Sequence, residues 1–205
     1  MSIVLIELSA ADMATRLREA LTVYVAAMGY PPGTEDQRAA MWLEHTRRYG
    51  WRAVAAVETA ENQGTTPTEN SGWDAAALRI APMVGVAYGY RGAPDHWWQQ
   101  QVLGDMRRSG LPSSEIARIM NDYFELTELH ISPRAQGRGL GEALVRRILT
   151  DRDEATVLLS TPEVRGEANR AWRLYRRLGF VDIMRGCHFS GDPRAFAILG
   201  RSLPL

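Results

Sequence analysis

The chain contains no lysine. All 24 of its basic residues are arginine, and 24 aspartates and glutamates bring the formal net charge to zero. A bias toward GC-rich codons accounts for the arginines without a functional demand, although a guanidinium is a good bidentate partner for phosphate, so anion binding stays open. Zero net charge removes the whole-molecule field that would draw in nucleic acid, and no nucleic-acid partner is expected. There is a single cysteine, Cys187. An intrachain disulfide framework and a multi-cysteine zinc site are thereby excluded, no metal is expected, and a reducing compartment suits the composition. No apolar run approaches the ~18 residues of a membrane span, so no membrane partner is expected. The first residues, MSIVLIELSAAD, lack a basic flank before their short apolar run. They read as a strand, not a signal peptide, and a cytoplasmic protein is the expectation.

What is present is an ordinary globular mixture of 45% hydrophobic and 23% charged residues in 205 positions. At roughly 100–200 residues per domain this is a single domain spanning 1–205, able to bury a core without staples. Residues 3–8 read as a strand. Met13, Leu17, Leu21 and Val25 form a four-residue stripe that predicts a helix over 11–29, stopped by Gly29 and Pro31-Pro32. Thr34 is the expected cap of a second helix ending near Tyr49-Gly50. Strands are predicted over 51–59 and 80–90, with a polar mobile loop over 60–77 between them. An inserted helical segment over about 94–124 reads as two helices, 95–108 and 113–123, broken at Ser109-Gly110-Leu111-Pro112. A strand over 124–132, a glycine turn, a helix to about Asp151, a strand over 156–161, a helix over 166–178 stopped by Gly179, and a hairpin of 180–189 with 195–202 complete the chain. This order predicts an α/β (α+β) fold with a mixed sheet and helices on both faces.

The most informative stretch is FELTELHISPRAQGRGLGEALVRRIL, residues 124–149. A strand ends at Pro133, glycines follow at 137, 139 and 141, and a helix then carries Leu140, Leu144 and Ile148 on one face. Closely spaced glycines let backbone N–H groups crowd around an anion at a helix N-terminus. The Rossmann fingerprint fails because Glu142 stands where its third glycine belongs, and the Walker pattern fails for want of a lysine. What stands here is Gln136-Gly137-Arg138-Gly139-Leu140-Gly141, of the form Q/R-x-x-G-x-G. Spacing alone leaves a ligand-free strand-to-helix turn equally open.

At these residues the sequence resembles the GNAT superfamily of acyl-CoA-dependent N-acetyltransferases. Leu129-His130-Ile131-Ser132-Pro133 matches the strand end of the family's L-x-V-x-P pattern, with Ile for Val, and Gln136, Gly139 and Gly141 match the loop. A second match is Ala171-Trp172-Arg173-Leu174-Tyr175-Arg176-Arg177-Leu178-Gly179-Phe180, which fits A-x-x-L-Y-x-x-x-G-F at every fixed position. The resemblance covers about residues 80–190. It implies a mostly antiparallel central sheet of about six or seven strands and transfer of acetyl from acetyl-CoA to a primary amine. It also implies that the amides of Gln136, Gly137, Arg138, Gly139, Leu140 and Gly141 hold the coenzyme A pyrophosphate, and that the backbone at Leu129 and Ile131 pairs with its pantetheine arm. The family often has Asn seven residues before the motif tyrosine. Here that position is Ala168, and Asn169 follows it as the candidate contact to the cofactor arm. The segment between the third and fourth strands is longer than usual and lies where an acceptor pocket would be expected.

Acetyl transfer to an amine requires a base for the amine proton, a donor for the oxyanion and a proton for the leaving thiolate. The resemblance puts Tyr175 near the cofactor sulfur as general acid. A phenol of pKa about 10 protonates a thiolate whose conjugate acid is near about 8.5 only with help from hydrogen bonding. Periodicity alone reads Tyr175 as core cover, on one helix face with Ala168, Ala171, Trp172 and Leu178. On strand 124–132, Thr127, Leu129 and Ile131 fall on one face and Leu126, Glu128 and His130 on the other. Glu128 is the candidate base, His130 has the better intrinsic pKa, and a purely structural Glu-His or Glu-Arg pair is the bland alternative. Glu125 enters only if a bulge shifts the alternation. A backbone N–H near Ile131 would donate to the oxyanion. Arg134 and Arg138 flank the loop, while Arg146 and Arg147 read as a solvated face. Cys187 reads as a packed thiol. For Trp97 and Trp98 an acceptor pocket, a homodimer interface and core packing are all open. The rival readings of the whole are a non-catalytic acyl-CoA-binding module and a protein-interaction module on the same fold.

Overall fold

The computed structural model describes residues 2–59 and 75–205. Its elements are β1 (Ser2–Leu8), α1 (Ala10–Thr15), α2 (Leu17–Met28), α3 (Thr34–His45), β2 (Arg52–Thr59), α4 (Ala75–Ile80), β3 (Met83–Arg91), α5 (Trp97–Arg108), α6 (Ser113–Met120), β4 (Tyr123–Ile131), α7 (Leu140–Leu149), β5 (Thr156–Pro162), α8 (Arg170–Arg177), β6 (Val181–Cys187) and β7 (Phe196–Ser202). The strands form one seven-stranded sheet in the order β1-β2-β3-β4-β5-β7-β6. It is mostly antiparallel, as the family resemblance implies, and β4 and β5 run parallel. Burial follows this order. The apolar runs AVAAV of β2 and MVGVAYGY of β3 are covered on both faces, whereas the last strand, β6, is mostly exposed.

The chain divides into two compact units, Met1–Tyr88 with Glu128–Ile148, and Gly89–Thr127 with Leu149–Leu205. In the first, the strand order is β1-β2-β3-β4, so the Glu128–Ile131 part of β4 is an edge of that unit's sheet. Its helix over 11–29 is not continuous. It breaks at Arg16 (φ −102°), whose buried guanidinium donates to Glu19 at 2.9 Å and to the Ala81 carbonyl at 2.6 Å. Glu19 in turn accepts the N–H of Met83, so a charge pair on α2 anchors the start of β3. Thr34 is the first helical residue and not the cap: Gly33 (φ 93°) occupies that position, and the Thr34 hydroxyl donates to the Pro31 carbonyl. The helix ends at His45, before the predicted Tyr49. Of the loop expected over 60–77, residues 60–74 lie outside the described residues, and 75–80 are helical, which moves the start of the following strand from 80 to Met83.

In the second unit β5, β7 and β6 are joined antiparallel, and β4 adds in parallel through Tyr123–Glu125 against Thr156–Leu158. The inserted helices α5 and α6 cover this sheet. Trp98, Val102, Met106, Ile116 and Ile119 pack against Tyr123, Leu158, Phe189 and Ile198 in one buried cluster. Two polar bonds fix the layer: Trp98 Nε1–H donates to Ser160 Oγ at 3.2 Å, and the Tyr123 hydroxyl donates to Gln99 Oε1 at 2.8 Å. Trp98 is therefore core, whereas Trp97 stays half exposed with its ring 5.7 Å from that of Phe189.

Candidate active site

Strand alternation places Glu128 and His130 side by side, and they meet: His130 Nε2 lies 2.5 Å from Glu128 Oε2. The imidazole is buried and the carboxylate is less so, with side-chain exposures of 9% and 17%. His130 is walled by rings from elements the motifs do not include. The edge-on Tyr24 ring of α2 stands 4.8 Å away, centroid to centroid, and Trp42 of α3 lies nearly parallel at 6.5 Å. Burial and the negative charge of Glu128 both push the Tyr24 hydroxyl up, so this phenol stays protonated. Glu125 has the opposite parity and is buried at 3% exposure in the second unit, where its Oε1 accepts from the Tyr90 hydroxyl at 3.1 Å.

Past Ile131 the chain leaves the sheet. The Ser132 N–H still donates to the Val84 carbonyl, a short 3₁₀ turn covers Pro133–Ala135, and Gln136 Nε2 donates back to the Ile131 carbonyl at 3.1 Å. Gly137 and Gly139 then adopt φ of 81° and 77°, the left-handed region that glycine enters without a Cβ penalty. A methyl group added to either would meet nothing within 4 Å, so open space lies over the loop. Ala143 N–H donates to the Gly139 carbonyl and opens α7, whose first-turn amides have no acceptor within the helix. The helix is held down by Leu144, Val145, Ile148 and Leu149. Gly85 lets it approach: a Cβ there would stand 2.8 Å from Ile131 Cδ1 and 3.3 Å from Leu144 Cδ1. Glu58, on β2, faces both loop arginines, bonding Arg134 at 2.6 Å with Arg138 at 4.0 Å. Arg146 pairs with Glu142 and Arg147 with Glu7, as a solvated face would.

The second motif forms α8 and its C-terminal cap. Asn169 is the N-cap: its Oδ1 accepts the Trp172 N–H at 2.9 Å. The predicted helix start at 166 is lost because Gly166 takes φ 64°, and Ala168 therefore lies outside the helix. At the other end Gly179 (φ 80°) closes a Schellman motif, with Gly179 N–H donating to Arg176 and Phe180 N–H to Tyr175. That geometry brings the Phe180 ring to 5.6 Å from the Tyr175 ring. The spacing Y-x-x-x-G-F is thus a packing device that holds the tyrosine, which is 7% exposed. Trp172 is fully buried and lies under the guanidinium groups of Arg176 and Arg185, at 5.0 and 4.4 Å. Glu167 and Asp182 bridge both arginines, and these hydrogen bonds hold the Glu167 carboxyl at about 2. Cys187 is buried, with its thiol pushed up to about 12 by desolvation and by the Asp105 carboxylate.

Glu128, His130 and residues 136–141 belong to the first unit, Asn169 and Tyr175 to the second. Tyr24, Trp42 and the residues behind them carry no motif. Their only trace in the sequence is the apolar periodicity of α2 and α3. Among the described residues no group of three or more His, Cys, Asp or Glu could hold a metal ion, and no helix is long and apolar enough to cross a membrane.

A family profile described as an acetyltransferase (GNAT) domain matches residues 100–182. A GCN5-like protein acetyltransferase of Mycobacterium tuberculosis is 68% identical over 206 residues, covering 100% of both chains. Among solved structures, a GNAT-family acetyltransferase from Desulfovibrio desulfuricans is similar with a TM-score of 0.59 at 17% identity, over 98% of this chain and 99% of that one. The NAA60 protein of Arabidopsis thaliana, solved with acetyl-CoA, is similar with a TM-score of 0.57 at 13% identity, over 98% and 99% of the two chains. At these identities the two structures speak to the fold.

Proposed function

Because this chain belongs to the GNAT family of acetyltransferases, we propose that it transfers acetyl from acetyl-CoA to a primary amine carried by a protein, by direct attack and without an acyl-enzyme intermediate. The observation that carries the cofactor half is the loop at Gly137 and Gly139: two left-handed glycines under open space, followed by the N-terminus of a helix. The amides of residues 136–141 would take the pyrophosphate. The backbone of Leu129 and Ile131, on the edge of the first unit's sheet, would pair with the extended arm as an added strand does. Asn169 Oδ1 accepts the helix-cap bond, and its N–H₂ is the donor it would offer to that arm. The protein acceptor is supported by the name of the 68% identical relative.

The chemistry then needs three proton transfers: one off the ammonium, one off the nitrogen of the adduct and one onto the leaving thiolate. Glu128 takes the proton of the attacking ammonium, and the neutral amine adds to the thioester carbonyl. The oxyanion is met by a backbone N–H of β4 near Ile131; the N–H of Ser132 is already spent on Val84. Collapse of the adduct expels the thiolate, which receives the Tyr175 proton; the adduct nitrogen gives up its second proton to become the amide, and that proton restores the phenol. No metal is called for.

The test is transfer from labelled acetyl-CoA to two peptide libraries, one with free α-amines and one with free lysine side chains, read by mass. Transfer to either that Tyr175→Phe slows is the expected result. Binding of acetyl-CoA without transfer to any amine would make the chain an acyl-CoA-binding module. No binding at all would leave a protein-interaction module on this fold.

A further inference from the structure

We propose that His130 is a positioning residue for Glu128, clamped by a wall of buried rings on α2, α3 and β3, so that segments outside the family motifs set the aim of the carboxylate. The inference rests on the reading of Glu128 as the base. Three observations carry it. His130 Nε2 reaches Glu128 Oε2 at 2.5 Å, and the imidazole is the more buried partner, so the carboxylate lies on the solvent side of the pair. With Glu128 ionised, Nε2–H donates to one carboxylate oxygen, and the other oxygen is the one that faces an incoming amine. The imidazole is backed by two buried rings. Tyr24 stands edge-on at 4.8 Å and Trp42 lies near-parallel at 6.5 Å.

The wall is braced from behind. Trp42 meets the Tyr88 ring of β3 at 4.9 Å, and the Tyr88 hydroxyl is 3.0 Å from His45 Nδ1 on α3. Tyr24, Trp42, Tyr88 and His45 are all below 8% exposure. A glutamate on a strand edge samples several rotamers, and misplacing a reacting group by about 1 Å costs on the order of a hundredfold in rate. A rigid donor that pins one oxygen removes that freedom without taking the proton itself.

The experiment measures kcat, and KM for acetyl-CoA, with the responsive peptide library as acceptor, in Glu128→Gln, His130→Ala and His130→Gln. The amide of His130→Gln places an N–H near the position of Nε2 but cannot act as a base near neutral pH. The expected result is a kcat lowered roughly 10- to 100-fold in His130→Ala, with KM for acetyl-CoA within about twofold, and most of the loss recovered in His130→Gln. A structural role alone would lower thermal stability without that split or that rescue. If His130→Ala keeps its kcat while Glu128→Gln loses it, the positioning role is refuted and the base stands. If His130→Gln is as slow as His130→Ala, the imidazole acts chemically and positioning is refuted. If Glu128→Gln keeps its kcat, or the unsubstituted chain acetylates neither library, the underlying reading falls and takes this inference with it.

Discussion

Gly139→Ala separates two demands on one residue. Gly139 has φ 77°, and no atom lies within 4 Å of the position its new methyl group would take, so the substitution meets strain but no clash. An L-residue held in the left-handed region costs roughly 1–2 kcal/mol. For a chain of this size each kcal/mol moves the unfolding midpoint by about 2–4 °C, so the midpoint without ligand falls by about 2–8 °C. The same methyl stands in the open space over the loop amides. Losing one charge-assisted hydrogen bond to a phosphate there costs about 1.5–3 kcal/mol, a roughly 13- to 160-fold weaker complex. At a concentration of acetyl-CoA 100 times the parent's dissociation constant, the parent gains about 2.7 kcal/mol, an upward shift of about 5–11 °C. The variant gains only about 0.3–1.3 kcal/mol, less than half of that shift. Thermal unfolding with and without acetyl-CoA reads both effects. A variant that is destabilised yet keeps the full ligand shift refutes the assignment of the loop as the phosphate cradle. An unchanged midpoint without ligand refutes the strain argument.

The other predictions concern the second unit. Tyr175→Phe keeps the ring against Phe180, so acetyl-CoA affinity is retained while kcat falls on the order of a hundredfold; a kcat near the parent's would remove Tyr175 as the acid. Glu167 has a folded pKa of about 2 against an ordinary 4.5, so its contribution to stability is present above pH 4.5 and is lost as the pH falls toward 2. The midpoint difference between the parent and Glu167→Gln is therefore expected at neutral pH and should vanish in that acid window. In Gly89→Ala the new Cβ would lie 2.2 Å from the Glu125 carbonyl and 2.6 Å from the Phe124 ring, and backbone does not give way cheaply. Denaturant unfolding should show a loss of about 3 kcal/mol or more, and a near-neutral result would contradict the strand packing. Cys187, fully buried with its thiol pushed up to about 12, should resist iodoacetamide at pH 8 until denaturant is added.

Much of the site is legible in the sequence, because it is built on local backbone rules. Closely spaced glycines mark the turn between the strand and the helix, and Gly137 and Gly139 take left-handed φ there. Gly179 predicts a helix stop, and the Schellman motif supplies it. Strand alternation alone puts Glu128 beside His130. Misreadings arise where a side chain answers to something distant. The stripe Met13-Leu17-Leu21-Val25 reads as one helix, yet the helix breaks at Arg16, which is bound to a carbonyl far along the chain. Thr34 has the composition of a cap, but Gly33 takes the position, because the hydroxyl prefers the Pro31 carbonyl. Ala168 belongs to the apparent helical face until Gly166 turns the backbone away.

Composition and short-range pattern determined that this chain is a zero-charge, single-cysteine protein built on a mixed sheet, with a glycine-rich turn ahead of a helix and a helix stop at Gly179. These follow from periodicity and from backbone conformations that only certain residues adopt. Tertiary structure alone decided what surrounds them. It inserted β7 between β5 and β6, laid α5 and α6 over a sheet as core, and set Glu58 against Arg134 beside the loop. It also packed the rings of Tyr24 and Trp42 against His130. The physical reason is that ring packing and ion pairing are non-local: they depend on which faces meet after the chain collapses, and a residue's own neighbours in sequence carry no record of that.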